Sequence, residues 1–275
     1  MKWTEMTAPA LADLSPDHVL LLPLGSCEQH GQHLPVFTDT FITTAIADSV
    51  EKRIPHRVVQ LPTLWLGASH HHRLFAGVLS LSESVYMTVL TGILECLADG
   101  PVCAPGHSKR ILLLNGHGGN VYPGQAALSE FAWKFRSRPD LIAAFASYWT
   151  LSDDAIKTVP METPALTHSC EYETSLMLAI KGELVDMSKA KAGSLQWQHT
   201  RFTPDASRPS KVGVAAPFHA RSSNGALGHP ELSSEEKGKQ LLDVIVHDTI
   251  AFIEEFVRWD DLKDVRAAQS GEVAE

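Results

Sequence analysis

Four imidazole and carboxylate side chains able to hold a metal ion fall within one short stretch, LLPLGSCEQHGQHLPVFTDT, residues 21–40: Glu28, His30, His33 and Asp39. Glu28 and His30 are two apart, so in extended chain they project to the same side. Asp39 follows the bend Leu34-Pro35-Val36-Phe37, which folds it back towards them. Each has a plainer reading when taken alone: Asp39 (or Thr38) as the cap of the next helix, Glu28 as a solvated loop residue. A second group is Asn115-Gly116-His117-Gly118-Gly119-Asn120. A His flanked by glycines has a backbone free to approach a ligand closely. The same turn read as a phosphate loop is weaker, because the GxGxxG order and a Walker-type Lys are missing. The third group is HSCEYETS, residues 168–175, where His168 and Glu171 are three apart and share a face at a helix start. Glu173 points elsewhere on that turn, and the helix dipole alone accounts for acids there.

Pooled, these groups supply three carboxylates (Glu28, Asp39, Glu171) and two imidazoles (His30, His117). An oxygen and nitrogen donor set without thiolate suits Zn, Mn or Fe. Three carboxylates in one pocket repel each other unless cations balance them. Two divalent ions with one hydroxide bring the set near neutrality, with Asp39 as the bridge, whereas one ion leaves it anionic. His33 is expected to support the turn, and Cys27 and Cys170 read as small apolar fillers, since neither has a dedicated base.

The elements that must position these residues alternate in type. Strands are expected at residues 18–24, 58–61, 110–114 and 141–148. Helices are expected at 40–52, 82–97, 125–136, 170–181 and 234–259, from apolar residues at helical spacing. Alternation of this kind predicts an α/β fold, a three-layer α/β/α domain with a mostly parallel sheet. Sites in such folds lie beyond the carboxyl ends of the strands, where Glu28 and His117 both fall. Residues 1–263 are expected to form one catalytic domain and 264–275 a frayed tail.

Composition narrows the partners. The chain has 275 residues, 44% of them apolar, and a formal net charge of -9. That charge repels nucleic acid and anionic membranes, so neither is an expected partner. No apolar run approaches the ~18 residues needed to span a bilayer. The four Cys lack CxxC spacing and the N-terminus lacks a signal pattern, so a cytoplasmic protein with reduced thiols is expected.

LPLGSCEQHGQHLP with TDT, LLLNGHGGN and HSCEYETSLML together resemble the creatininase (creatinine amidohydrolase) family, whose patterns are P.GS.EQHGPHLP..TD, NGHGGN and HAGE.ETS. Lesser matches are Phe75-Ala76-Gly77-Val78-Leu79-Ser80 and Gly238-Lys239, and the resemblance covers about residues 18–256. It implies a Rossmann-like α/β domain with a dinuclear centre, Zn first with Mn or Fe as alternatives, and assembly into a homo-oligomer, hexamers included. It places Glu28 and His117 on one metal, His30 and Glu171 on the other, and Asp39 between them. His168 matches the proton-passing His, with Glu173 orienting it or a helix end. His72, Trp149 and Gly118 match substrate-pocket positions. The implied activity is hydrolysis of a C–N bond in a small cyclic amide by a metal-bridging hydroxide. Family members also act on formamides, on a peptide-like maturation substrate and on cyclic carbohydrate derivatives. A non-catalytic metal-binding protein is the rival reading; the resemblance of His168 to a proton shuttle argues against it. The name-giving creatininases carry Tyr-Glu where this chain has Gly118-Gly119, and a Trp where it has Pro164, which argues against creatinine itself. Specificity is expected between Gly67 and Ser80 and around Trp149, Trp197 and Phe218.

Overall fold

The structure is a computed structural model that describes residues 1–193, 201–206, 208 and 210–266. Trp197 and tail residues 267–275 lie outside the described residues.

A short run of aliphatic residues without polar alternation suits an interior parallel strand, and Val19–Leu24 (β1) is buried along its whole length. It pairs in parallel with Val58–Gln60 (β2) on one side and Arg110–Asn115 (β3) on the other. Ile142–Ser147 (β4) extends the sheet beyond β3, again in parallel. The strand order is β2-β1-β3-β4. Pro23 sits in the central strand although it has no N–H to give. The backbone groups of Val19 and Leu21 face β2, so the absent donor of Pro23 faces the same side. β2 has already ended at Gln60 there, and only the Pro23 carbonyl is needed, accepting from Leu64 N at 2.9 Å.

Successive strand residues point to opposite faces, and two apolar cores result. Val19, Leu21, Leu112 and Leu114 pack under Thr38–Arg53 (α2, preceded by the short α1, Ala8–Ala12). The last two long helices, described below, share that face. Leu20, Leu22, Ile111 and Leu113 pack under Glu83–Asp99 (α3) and Val121–Lys134 (α4). Two single-turn helices follow β4, Tyr148–Leu151 (α5) and Asp153–Ile156 (α6). Glu171–Lys181 (α7) and Glu235–Phe256 (α8) then complete the first face, α8 burying Leu241, Ile245, Val246 and Ile253. The expected three-layer α/β/α arrangement is the observed one.

Boundaries differ for identifiable reasons. Ser82 and Ser234 cap α3 and α8 through their hydroxyls, as helix-start chemistry dictates. α4 begins at Val121, earlier than the expected 125, because Pro123 is tolerated inside a first turn. α2 has Phe37 as its cap residue and no side-chain cap. Neither Thr38 nor Asp39 serves that role; the Asp39 carboxylate is drawn into a buried cluster instead.

Candidate metal centre and active site

Connections leave β1 towards β2 on one side and reach β3 on the other, so the crevice between the carboxyl ends of β1 and β3 is the switch point of this sheet. Glu28 and His30 follow β1, and His117 follows β3. Asp39 comes from the first turn of α2 and Glu173 from the first turn of α7. All five are buried.

Asp39 lies at the centre. Its Oδ1 is 3.0 Å from His30 Nε2, and its Oδ2 is 2.9 Å from His117 Nδ1. Ser26 Oγ donates to Asp39 Oδ2 at 2.7 Å. Glu28 Oε2 is 3.3 Å from His117 Nε2, and Glu173 Oε2 is 3.9 Å from His30 Nε2. His30 Nδ1 is 3.2 Å from the Glu28 carbonyl, which can only accept, so Nδ1 donates there and Nε2 is the nitrogen that faces the carboxylates, able to donate to them when protonated or to ligate a metal ion when neutral. Two donor groups thus share Asp39: Glu28 with His117, and His30 with Glu173.

Electrostatics supports a cation here. Neither buried oxygen of Glu28 forms a hydrogen bond, although imidazole nitrogens of His117, His72 and His168 stand 3.3, 3.4 and 3.5 Å away. Burial first, and Asp39 next, push the Glu28 carboxyl up to about 7, against the pull of His117 and His30. Burial likewise raises Glu173 to about 7. His30 and His117 go the other way. Burial opposes their charge, yet Asp39 drives His30 up to about 10, and Glu28 with Asp39 drives His117 up to about 9. The carboxylates are collecting protons in the place of stronger cations. An oxygen and nitrogen set with orphaned carboxylate oxygens fits divalent metal ions.

Sequence reasoning assigned Glu171 to this set, and the structure does not bring it there. The Glu171 carboxylate accepts from Thr163 N and Oγ1 at 2.8 and 2.6 Å, from Glu162 N at 3.1 Å and from Lys237 Nζ at 2.7 Å. The cause is helical phase. At ~100° per residue, positions 171 and 173 face nearly opposite ways, and only one can reach the cluster. His168 gave the wrong phase because it is not on the helix: Ser169 between them takes a left-handed φ of 53° and turns the chain. Glu173 is anchored by the backbone N–H of Ser169 and faces the metal-competent group.

His168 hangs over the cluster from the loop before α7. Its Nε2 is 2.8 Å from the Gln29 carbonyl, which fixes the proton on that nitrogen and leaves Nδ1 facing Glu28. Burial, then His30, hold the ring well below ordinary imidazole basicity, so it is neutral. His72 stands beside it, accepting from Gln29 Nε2 at Nδ1 (2.9 Å). His71 stacks on His117 with ring centres 5.8 Å apart. His33 packs away from the cluster, its Nε2 2.8 Å from Thr174 Oγ1. Cys27 and Cys170 are buried and unpaired, as fillers should be.

The glycine loop is built for close approach. A Cβ on Gly116 would lie 1.7 Å from Thr43 Oγ1, and one on Gly119 would lie 2.1 Å from the Ala68 carbonyl. No side chain fits at 119, so a carboxylate cannot enter from there and α7 supplies it. Asn115 and Asn120 brace the loop by binding His117 N and Ala68 N. The cluster opens into a cavity of about 660 Å³ whose wall includes His72, Trp149, Gly118 and Phe218, all expected there. Arg221, Gln29 and His71 were not anticipated; they lie outside the recurring motifs or are neutral within them.

Comparison with known proteins agrees with this geometry. The family described as Creatininase, creatinine amidohydrolase, matches residues 4–253. A mycofactocin precursor peptide peptidase of Mycobacterium ulcerans is 30% identical over 250 residues, covering 87% of this chain and 85% of that protein. Creatinine amidohydrolase of Pseudomonas putida is 28% identical over 261 residues, covering 90% and 91%. A solved creatininase carrying a Trp-to-Ala mutation superposes with a TM-score of 0.75 at 25% identity, over 94% of this chain and 99% of that one. A Glu-to-Gln creatininase mutant of Zn-Zn type gives 0.72 at 27% identity, over 93% and 98%. The match spans the β1 loop, the glycine loop and the start of α7 alike: this chain belongs to the creatininase family and is a metal-dependent amidohydrolase.

Proposed function

We propose that the chain is a dinuclear metal-dependent hydrolase that cleaves an amide-type C–N bond in a small cyclic amide or a related substrate. The observation that carries this reading is the sharing of Asp39: its two oxygens face His30 and His117 separately, and each His has its own carboxylate. Glu28 and His117 would hold one ion and His30 and Glu173 the other, with Asp39 common to both. Zn is the first choice for both ions, with Mn or Fe as alternatives. Bound divalent ions supply Lewis acidity, acidifying water and polarising a carbonyl. Residues 1–263 would act as one catalytic unit, in a homo-oligomer that includes hexamers among its forms.

The protein side of the chemistry follows from His168. Gln29 holds the ring in one tautomer, so Nδ1 is the nitrogen free to take a proton from the attacking water. The same nitrogen then returns it to the departing amine. Phe218 and His72 flank the ring, with centres 4.7 and 4.6 Å away, and limit its rotation and its wetting. Gly118 leaves the cavity floor open, because a Cβ there would meet nothing within 4 Å. The relatives differ in their named reactions, on creatinine and on a precursor peptide, so amides of several shapes fall within reach.

Metal content and turnover measured on one preparation test the proposal, across lactams, formamides and short peptides. Wild type should bind two ions per chain and hydrolyse members of the panel. His168→Ala should retain both ions and lose kcat by roughly 10²- to 10⁴-fold. Stoichiometric ions with equal inertness of both proteins would sink the enzymatic reading.

A further inference from the structure

The cavity above the metal-competent cluster carries carboxylates and imidazoles, and, among the described residues, one Arg and no Lys on its wall: Arg221. A guanidinium has five N–H donors. Among the described residues the side chain makes a single hydrogen bond, from Nη2 to the Val214 carbonyl at 3.4 Å. Its Nε is buried and has no acceptor. No carboxylate lies within ion-pair distance of it among the described residues, although Glu83 lines the same cavity. The ring centre of Phe202 lies 5.9 Å from the Arg221 Cζ. Burial lowers the basicity of Arg221, and among the described residues no neighbouring charge offsets that. A partly buried cation without an anion is costly unless a ligand supplies one.

The backbone that carries Arg221 is also held in place relative to the reacting groups. Arg221 N and Ser222 N both donate to the Phe218 carbonyl, at 2.8 and 3.0 Å. Phe218 stacks on His72 with ring centres 4.1 Å apart and meets His168 edge-on. Gln29 Nε2 reaches across to the Gly225 carbonyl at 3.0 Å, pinning the far end of the same turn. Arg221 therefore stands on a backbone of set position, on the wall of the cavity that His168 also lines and on a loop tied to the β1 turn.

We propose that Arg221 is the substrate-anchoring residue of this site, and that the enzyme selects amides bearing a carboxylate. This rests on the hydrolase reading given above. One planar fork without a second Lys or Arg matches a planar monoanion such as a carboxylate, which it can bind bidentately. The chain's net charge of -9 repels anions in general, so the attraction is local and selects by position. The carboxylate belongs either to a small acid or to the C-terminus of a peptide.

The experiment uses the metal-loaded full chain and matched pairs: N-formylglycine and its carboxamide, 5-oxoproline and its carboxamide, and an alanine dipeptide with free or amidated C-terminus. The pair that responds tells which source of carboxylate the site takes. Wild type should favour the acid member in kcat/KM. Arg221→Gln should raise KM for that acid by roughly 10- to 100-fold, with kcat within a few-fold, and leave the neutral member unchanged. Arg221→Lys should recover part of the preference. Calorimetric binding of the same pairs is measured in parallel. Turnover without acid preference, or equal losses for acid and neutral members in Arg221→Gln, overturns the anchor while the hydrolase reading stands. If neither member is turned over, the hydrolase reading fails for these substrates. The anchor then stands or falls on whether the acid binds wild type more tightly than Arg221→Gln, and equal affinities overturn it.

Discussion

Two glutamates, two positions apart on α7, face opposite ways, and the roles that follow are testable. Glu173 faces His30 and Asp39, whereas Glu171 is saturated by Thr163, Glu162 N and Lys237 on the other side of the helix. Removing the charge at 173 should remove a ligand, and removing it at 171 should loosen a tether. Glu173→Gln is expected to lower metal content from two ions to about one per chain by elemental analysis, with folding intact. Glu171→Gln should keep both ions and lose about 1.5–3 kcal/mol of stability in denaturant titration, the worth of hydrogen bonds to a buried charge. Full metal occupancy in Glu173→Gln together with metal loss in Glu171→Gln would reverse the assignment. Asp39 shows the same economy within one residue. Its position at a helix start is also where a capping acid belongs, and its burial between two imidazoles decides between those roles.

At the scale of elements, the site depends on how closely α7 and α8 approach. A Cβ on Gly238 would lie 1.8 Å from the Ser175 carbonyl and 3.0 Å from Ala179 Cβ. Glycine here lets the backbones touch and sets the height of α7, and with it the reach of Glu173 towards His30. Gly238→Ala should therefore force the helices apart at a cost of roughly 1–3 kcal/mol. A melting temperature lower by several degrees, accompanied by weaker metal retention, is the expected result. An unchanged melting temperature would show that the interface yields without cost. The four strands were legible because buried parallel strands are nearly pure aliphatic runs, as in Val19–Leu24 and Arg110–Asn115. The long helices were legible from spacing and from Ser82 and Ser234 at their starts. Glu28, His30, Asp39 and His117 were legible because each follows directly on a strand or opens a helix. Glu173 was not, because its phase was counted from His168 across the left-handed Ser169. Arg221 was not, because a single Arg in a loop has no periodicity and no motif, and its significance lies in partners it lacks.

At the scale of the whole molecule, the cluster ties together segments distant in sequence: the β1 loop, the start of α2, the β3 loop and the start of α7. Without cations, the charge of three buried carboxylates is offset by protons, on Glu28 and Glu173 as their raised values show and on the imidazoles as the raised His30 and His117 show. Metal ions that bind this arrangement and not the unfolded chain must stabilise the fold by mass action, about 2.7 kcal/mol for each site at a free concentration one hundred times Kd. The two apolar cores pack against both faces of the sheet, so the scaffold itself should survive metal removal. Chelation is thus expected to lower the melting temperature without abolishing cooperative unfolding, and added Zn or Mn should raise it again with rising concentration. Asp39→Ala should melt at one temperature whatever the metal, since it lacks the residue common to both halves. A wild type equally indifferent to chelator and to added metal would mean that no ion joins these segments. The four would then be held by protein contacts alone, and the charge of the cluster would need another account.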